Sequence, residues 1–290
     1  MVIQVKGIIT PMVTPIKNGK IEKEYVIRLI EFLKKIDVAG LFPMGSTGLF
    51  PFFSTEVHLL MLDYTINNAP AGMKVFAGAS RNNLEETLTV AKKAKDFGAD
   101  AVVIVTPYYI KLSQESIKRY YENIASKLNC DILVYNIPPN TCNSIQPETL
   151  SDLMREHSNI IGIKDSSGDM KLFQGFVNEL PKEALIYQGL DELLLPSMSL
   201  GASGGVCGSS NFSDLIVRLY KTGSKELNKK VVNLKKLLSK SEFPKAYYYL
   251  FNRIVLGLER PKDYMPFPIE DLKQQEEMLI YKEFTNLQNE

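Results

Sequence analysis

Short apolar runs alternate along the chain with longer stretches of three-and-four spacing, and the alternation repeats about eight times before Lys225. That is the pattern of successive βα units. The apolar runs predict strands at GIIT near 7–10, AGLFPM near 39–44, MKVFAG near 73–78 and DAVVIVT near 100–106. Further strands are predicted at DILVYNI near 131–137, NIIGIKD near 159–165, ALIYQG near 184–189 and ASGGVCG near 202–208. Between them, Tyr25, Leu29, Phe32 and Leu33 share one helical face, as do Leu84, Leu88, Ala91 and Ala94. Ser54 and Ser113 read as N-caps of the helices that follow them. Eight units favour a closed (β/α)8 barrel over an open doubly wound sheet, although periodicity alone does not show closure. From about Lys225 to Leu256 the pattern is continuously helical; Gly257, Pro261, Pro266 and Pro268 break it, and it resumes near Ile269. The expectation is an α/β protein with a TIM barrel over residues 1–224 and a helical extension over 225–290 packed on it.

Composition narrows the partners. In 290 residues, 45% are apolar and 23% charged, ordinary for a chain that buries a sizeable core. Lys and Arg number 34 against 33 Asp and Glu, so no broad positive field attracts nucleic acid or anionic lipid. Cys130, Cys142 and Cys207 are odd in number and have no CxxC spacing, which argues against a disulfide framework or a zinc knot and fits a reducing compartment. The opening MVIQVKGIITP carries too short an apolar run for a signal segment, and no stretch is long enough to span a membrane. A cytoplasmic location is the expectation.

In a barrel, reacting groups gather at the C-terminal ends of the strands. His58 falls within a helical stretch and His157 just before the sixth strand, so both are expected on helix surfaces or caps. No ligand set for a catalytic metal is visible. Lys74 and Lys6 sit at the wrong strand ends, but Lys164 is carried by the apolar run NIIGIK to the barrel mouth. In an apolar wall an ammonium is disfavoured, and the neutral amine that attacks a ketone is more populated. The alternative is a buried ion pair, with Asp165 or another carboxylate. Tyr135 closes the preceding strand and can relay a proton to or from a substrate oxygen, or it is a core tyrosine with a satisfied hydroxyl. The turn Gly45, Ser46, Thr47 and Gly48 offers two hydroxyls and backbone N–H groups to a carboxylate or phosphate, or is a plain glycine-rich turn.

GSTG at 45–48, TPYY at 106–109, YNIP at 135–138, GIKD at 162–165 and GASGGVCGSSN at 201–211 together resemble the dihydrodipicolinate synthase and N-acetylneuraminate lyase superfamily, in the right order and at the right strand ends. The resemblance implies that Lys164 is the Schiff-base lysine, Tyr135 the proton-relaying tyrosine, and Ser46 and Thr47 the pair that grips the substrate carboxylate. It implies that Tyr109 reaches across a subunit interface into a neighbouring site, and hence a homotetramer arranged as a dimer of dimers. It also puts Asn136, Ile137, Asp165, Ser166, Gly189, Asp191, Gly205 and Val206 around the substrate.

Departures from the family pattern point to the substrate. Dihydrodipicolinate synthases place an arginine after YN(V/I)P(G/S), where this chain has Asn140, so a second carboxylate loses its bidentate partner. Leu49, Phe50 and Pro51 follow the GSTG turn where those enzymes and sialic acid lyases have glutamate, and GSTGLFP resembles the archaeal-type 2-keto-3-deoxygluconate aldolases. The implied reaction is reversible cleavage of that 2-keto sugar acid to pyruvate and glyceraldehyde, without metal or dissociable cofactor. A phosphorylated substrate has less support, since the loop after TPYY offers Lys111 and no arginine, unless Arg253 or Arg260 folds back. The competing readings are another pyruvate-dependent lyase or synthase of the same superfamily and a non-catalytic keto-acid sensor.

Overall fold

A computed structural model describes residues 5–289. Eight parallel strands close into a barrel: β1 (Gly7–Pro11), β2 (Gly40–Phe42), β3 (Lys74–Gly78), β4 (Ala101–Val105), β5 (Asp131–Asn136), β6 (Ile160–Asp165), β7 (Leu185–Gln188) and β8 (Gly204–Val206). Each pairs with the next, and Gly7 opposite Gly204 brings β8 back to β1. The expected closed barrel is therefore present, with every predicted strand within a residue or two of its expected limits. Continuous apolar runs made these strands visible because strands of a parallel sheet covered by helices are buried on both faces.

Helices fill the gaps: α1 (Lys23–Lys35), α2 (Thr55–Asn68), α3 (Leu84–Phe97), α4 (Gln114–Ala125), α5 (Pro147–Glu156), α6 (Met170–Glu179), α7 (Leu194–Leu200) and α8 (Leu215–Thr222). A short hairpin, Ile16–Lys17 and Lys20–Ile21, precedes α1. The N-caps expected at Ser54 and Ser113 are made, with Ser54 accepting from Val57 N–H and Ser113 from Ser116 N–H.

The C-terminal segment, expected as one continuous helix over 225–256 that resumes near Ile269, is more broken up. It consists of α9 (Lys225–Leu238), α10 (Lys245–Leu250), a π-helical turn over Phe251–Val255, and α11 (Gln274–Asn289). The break between α9 and α10 ends at Pro244, which has no N–H to give an α-helical ladder. The last helix begins at Gln274 rather than near Ile269. These helices are tied to the barrel mouth by the buried Tyr248, whose hydroxyl accepts the N–H of Thr14 at 3.0 Å. Among the described residues, no helix is long and apolar enough to cross a membrane.

One irregularity in the barrel decides what faces its interior. Between β5 and β6, Ile132 pairs with Ile160 but Leu133 pairs with Gly162, so Ile161 is an extra residue. Side chains alternate along a strand, and a one-residue slip exchanges the faces of everything beyond it. The bulge sets Tyr135 beside Lys164 and Asn136 beside Asp165. Gly162 makes it possible: its φ is +149°, and a Cβ there would lie 2.0 Å from the Leu185 carbonyl oxygen.

Candidate active site

Lys164, at the mouth end of β6, is 4% exposed. Its Nζ lies 3.8 Å from the centre of the Tyr135 ring and 5.0 Å from that of Phe42. The Phe42 and Tyr135 rings meet edge to face at 6.3 Å. The amine thus rests against π faces rather than a carboxylate, and among the described residues Lys164 forms no ion pair. The Tyr135 hydroxyl lies 3.2 Å from Ser46 Oγ, linking β5 to the turn after β2. That turn is closed by Leu49 N–H donating to the Ser46 carbonyl at 3.0 Å and Phe50 N–H to that of Gly45 at 3.4 Å.

These groups line a cavity of about 430 Å³. Its wall includes Ser46, Thr47, Tyr135, Ile137, Lys164, Ser166, Gly189, Asp191 and Val206 from among the residues singled out in the sequence. Gly189 leaves space that Ser166 needs, since a Cβ at Gly189 would fall 1.9 Å from Ser166 Oγ. That hydroxyl is buried and has no hydrogen-bond partner among the described residues. Asp191 is held from behind: Oδ1 accepts the N–H of Gly208 and Oδ2 that of Ser209, both at 2.9 Å. A second cavity of about 530 Å³ adjoins the first at Ser46, Ile137, Asn140 and Phe243.

Four expected contacts lie elsewhere. Asn136 and Asp165 occupy the strand positions next to Tyr135 and Lys164, so their side chains point away from the cavity. Asn136 Nδ2 donates to Asp165 Oδ1 at 2.8 Å, and its Oδ1 accepts Ile145 N–H at 3.2 Å. Asp165 Oδ2 accepts from Ser167 Oγ at 2.8 Å. Burial pushes the Asp165 carboxyl above its ordinary range, against the opposing effect of these hydrogen bonds. The alternative of a Lys164–Asp165 ion pair fails for the same reason of alternation. Gly205 also points off the cavity, where a Cβ would meet Cys207 Sγ at 2.6 Å and Leu194 Cδ1 at 2.8 Å. Tyr109 is 84% exposed, with φ +80°, and lines neither cavity of its own chain; its neighbour Tyr108 lines the second.

Several wall residues were not singled out in the sequence. Pro11 ends β1, and Ser167 and Gly208 lie just beyond the ends of β6 and β8, so all three were within reach of the strand-end criterion. Lys235, Phe243 and Tyr247 come from the helical extension, where no local pattern marks them.

The two histidines are off the site. His157 caps α5, as expected. His58 corrects the expectation of a surface position: it is fully buried on α2, and its Nε2–H donates to the Gly78 carbonyl at 2.7 Å. Desolvation by burial lowers its pKa to about 4. Lys74, at the opposite end of the barrel from the site, pairs with Asp100 at 2.7 Å. All three cysteines are free, with only Cys142 exposed. Among the described residues, no three His, Cys, Asp or Glu side chains come together as a metal-ion site would require.

A (β/α)8 barrel with a buried lysine, a tyrosine and a hydroxyl-bearing turn gathered at its mouth defines the class of protein. The chain belongs to the Dihydrodipicolinate synthetase family, which matches residues 4–280. It is 42% identical over 248 residues to the 2-dehydro-3-deoxy-D-gluconate/2-dehydro-3-deoxy-phosphogluconate aldolase of Picrophilus torridus, covering 83% of this chain and 92% of that protein. It is 35% identical over 205 residues to the 4-hydroxy-tetrahydrodipicolinate synthase of Bacillus subtilis, covering 70% of this chain and 71% of that one. Among solved structures, the 2-keto 3-deoxygluconate aldolase from Picrophilus torridus superposes with a TM-score of 0.85 at 39% identity, over 92% of this chain and 98% of that chain.

Proposed function

We propose that the protein is a class I aldolase, a carbon–carbon lyase that reversibly cleaves 2-keto-3-deoxygluconate to pyruvate and glyceraldehyde through a Schiff base on Lys164. The observation that carries this reading is the buried Lys164 amine, without a carboxylate partner among the described residues and 3.8 Å from the centre of the Tyr135 ring, whose hydroxyl reaches Ser46. The similarity to the Picrophilus torridus aldolase supports the substrate, as does Asn140 in place of the arginine that would hold a second carboxylate.

Ser46 and Thr47 hold the substrate carboxylate and so present C2 to Lys164. The neutral amine adds to the C2 ketone, and loss of water leaves an iminium. Tyr135 relays the proton leaving the C4 hydroxyl; the C4–O bond becomes a carbonyl, the C3–C4 bond breaks, and its electron pair flows into the iminium to form an enamine. Glyceraldehyde departs, C3 is protonated, and water hydrolyses the resulting iminium to pyruvate and free lysine. Ile137, Ser166, Gly189, Asp191 and Val206 surround the rest of the chain of carbons, with the unpartnered Ser166 hydroxyl free to meet a substrate hydroxyl. All electronic activation comes from the iminium, so the reaction proceeds with no cofactor. The exposed Tyr109 fits a homotetramer in which this ring enters the neighbouring subunit's site, and a cytoplasmic location suits the three free thiols.

The test is covalent trapping. Pyruvate with borohydride is expected to add mass to the peptide containing Lys164, and Lys164→Ala to abolish both the adduct and pyruvate release from 2-keto-3-deoxygluconate. A wild-type protein that is folded yet unlabelled on that peptide rejects the mechanism.

A further inference from the structure

The reacting pair stands where two cavities of unlike character meet, and the proposed chemistry uses one of them. The Tyr135 hydroxyl, on β5, is 3.2 Å from Ser46 Oγ, and Ser46 and Ile137 belong to the walls of both cavities. The cavity that holds Lys164 runs over β6 and β7, to Ser166, Gly189 and Asp191. The other, of about 530 Å³, runs over β4, to Val105 and Tyr108, and is closed by Phe50 and by Ile269 of the extension. Since the strands follow one another in order round the barrel, the two cavities leave Tyr135 on opposite sides of β5.

Their walls suit different ligands. The first presents the Ser166 hydroxyl, unpartnered among the described residues. In the second, Leu49, Phe50 and Val105 are buried, and Phe50 meets Tyr108 edge to face at 6.2 Å. Among the described residues, no buried polar atom that lacks a partner belongs to this wall. Its Thr141 hydroxyl donates to the Asn143 carbonyl at 2.8 Å, and its Lys245 pairs with Glu242 at 3.0 Å. Arg253 and Arg260 line a separate cavity. A polar group entering this space would shed water and find little in exchange, whereas an apolar group gains by leaving water.

We propose that the second cavity is an acceptor arm for aldehydes bearing an uncharged apolar group the size of a phenyl ring, to which the protein adds pyruvate beside its reaction with glyceraldehyde. This rests on the Schiff-base reading. C3 of the pyruvate enamine on Lys164 attacks the aldehyde carbon and forms the C3–C4 bond. The carbonyl electron pair moves to the aldehyde oxygen, which takes a proton through Tyr135. Water then hydrolyses the iminium, releasing a 4-hydroxy-2-keto acid and the free lysine. The aldehyde oxygen stays at Tyr135 whichever cavity receives the substituent, so moving the substituent from one side of β5 to the other exchanges its place with the aldehyde hydrogen. That exchange turns the opposite face of the carbonyl to the enamine. A hydroxylated chain seated at Ser166 and an apolar group seated at Phe50 are thus joined with opposite spatial arrangements at C4.

The experiment is aldol addition of pyruvate to glyceraldehyde and to benzaldehyde, which cannot enolise, by the full-length protein and its Ile269→Asp and Ile269→Trp variants, with borohydride trapping of pyruvate run alongside. Ile269 is half-buried on a loop of the extension and outside the wall of the Lys164 cavity, so glyceraldehyde addition should persist in both variants and report that they fold. The wild type is expected to form the 4-phenyl-4-hydroxy-2-keto acid, and chiral chromatography to show addition to the carbonyl face opposite to that used for glyceraldehyde. The aspartate puts a charge in the arm and the indole fills it. Each should lower the ratio of kcat/KM for benzaldehyde to that for glyceraldehyde about tenfold, carried by KM for the aldehyde. No benzaldehyde product, the same face for both aldehydes, unchanged ratios or equal losses on both aldehydes overturn the inference if the wild type still traps pyruvate on Lys164. Failure of that trapping overturns the parent mechanism, and this inference with it.

Discussion

Tyr135 and Lys164 stand side by side on β5 and β6, with Lys164 Nζ 3.8 Å from the centre of the tyrosine ring, because Ile161 is one residue too many for the ladder between them. Had the pairing begun at Ile132 and Ile160 run on without that bulge, Tyr135 would stand beside Ile163, and Lys164 beside Asn136. The amine and phenol would then face opposite sides of the wall. The bulge assembles two pairs at once, Tyr135 with Lys164 toward the cavity and Asn136 with Asp165 toward the helices.

Gly162→Ala tests that dependence. The added methyl would sit 2.0 Å from the Leu185 carbonyl oxygen at a backbone φ of +149° that side chains rarely adopt. A loss of roughly 2–4 kcal/mol in urea unfolding is expected, the range for strain at a special backbone position. The fraction that remains folded should trap pyruvate more slowly than wild type. Trapping at the wild-type rate with wild-type stability would show that the bulge does not place the lysine.

Tyr135→Phe separates imine formation from bond cleavage. The ring beneath Lys164 is kept, and the hydroxyl 3.2 Å from Ser46 Oγ is lost. Pyruvate should still be trapped on Lys164, whereas kcat for cleavage falls by about 10²–10⁴, the usual contribution of a positioned proton-transfer group. Unchanged cleavage would remove Tyr135 from the proton path.

Strand positions were legible in the sequence because burial on both faces leaves unbroken apolar runs, and the strand-end criterion led to Lys164 and Tyr135 without knowledge of closure. What could not be read was which face each strand residue takes. Asn136 and Asp165 sit in the same motifs as Tyr135 and Lys164, and a bulge marked only by Gly162 turns them outward. Contacts from the extension were equally hidden: Lys235 follows an ordinary amphipathic helical pattern, and only the packing of α9 on the turn after β7 brings it to the cavity. The helical pattern over 225–256 ran through residues 239–244 because that spacing is blind to a proline's missing N–H until the chain must close a turn there.

Asn136→Ala distinguishes a wall residue from a substrate contact. The substitution strips Asp165 of the 2.8 Å hydrogen bond from Asn136 Nδ2 and leaves Ile145 N–H without its acceptor. Stability should fall by roughly 1–3 kcal/mol, as expected when buried polar groups lose their partners. KM for the keto acid should stay near wild type. A raised KM at unchanged stability would return Asn136 to the substrate's surroundings.

His58 makes stability depend on pH in a window that can be assigned. Desolvation holds it neutral in the fold, with its pKa lowered to about 4 from the ordinary 6.5. Between those values the unfolded chain binds a proton at this site that the folded chain refuses, so protons favour unfolding. The contribution is fully present above pH 6.5 and is lost progressively as the pH falls toward 4, to a total on the order of 3 kcal/mol. His58→Gln keeps a side-chain donor for the Gly78 carbonyl and removes the titration. Urea midpoints measured from pH 4 to 7 should therefore fall more steeply with acid for the wild type than for the variant, since every other titrating group is common to both. Parallel curves would mean that His58 is protonated within the fold, or that water reaches its ring.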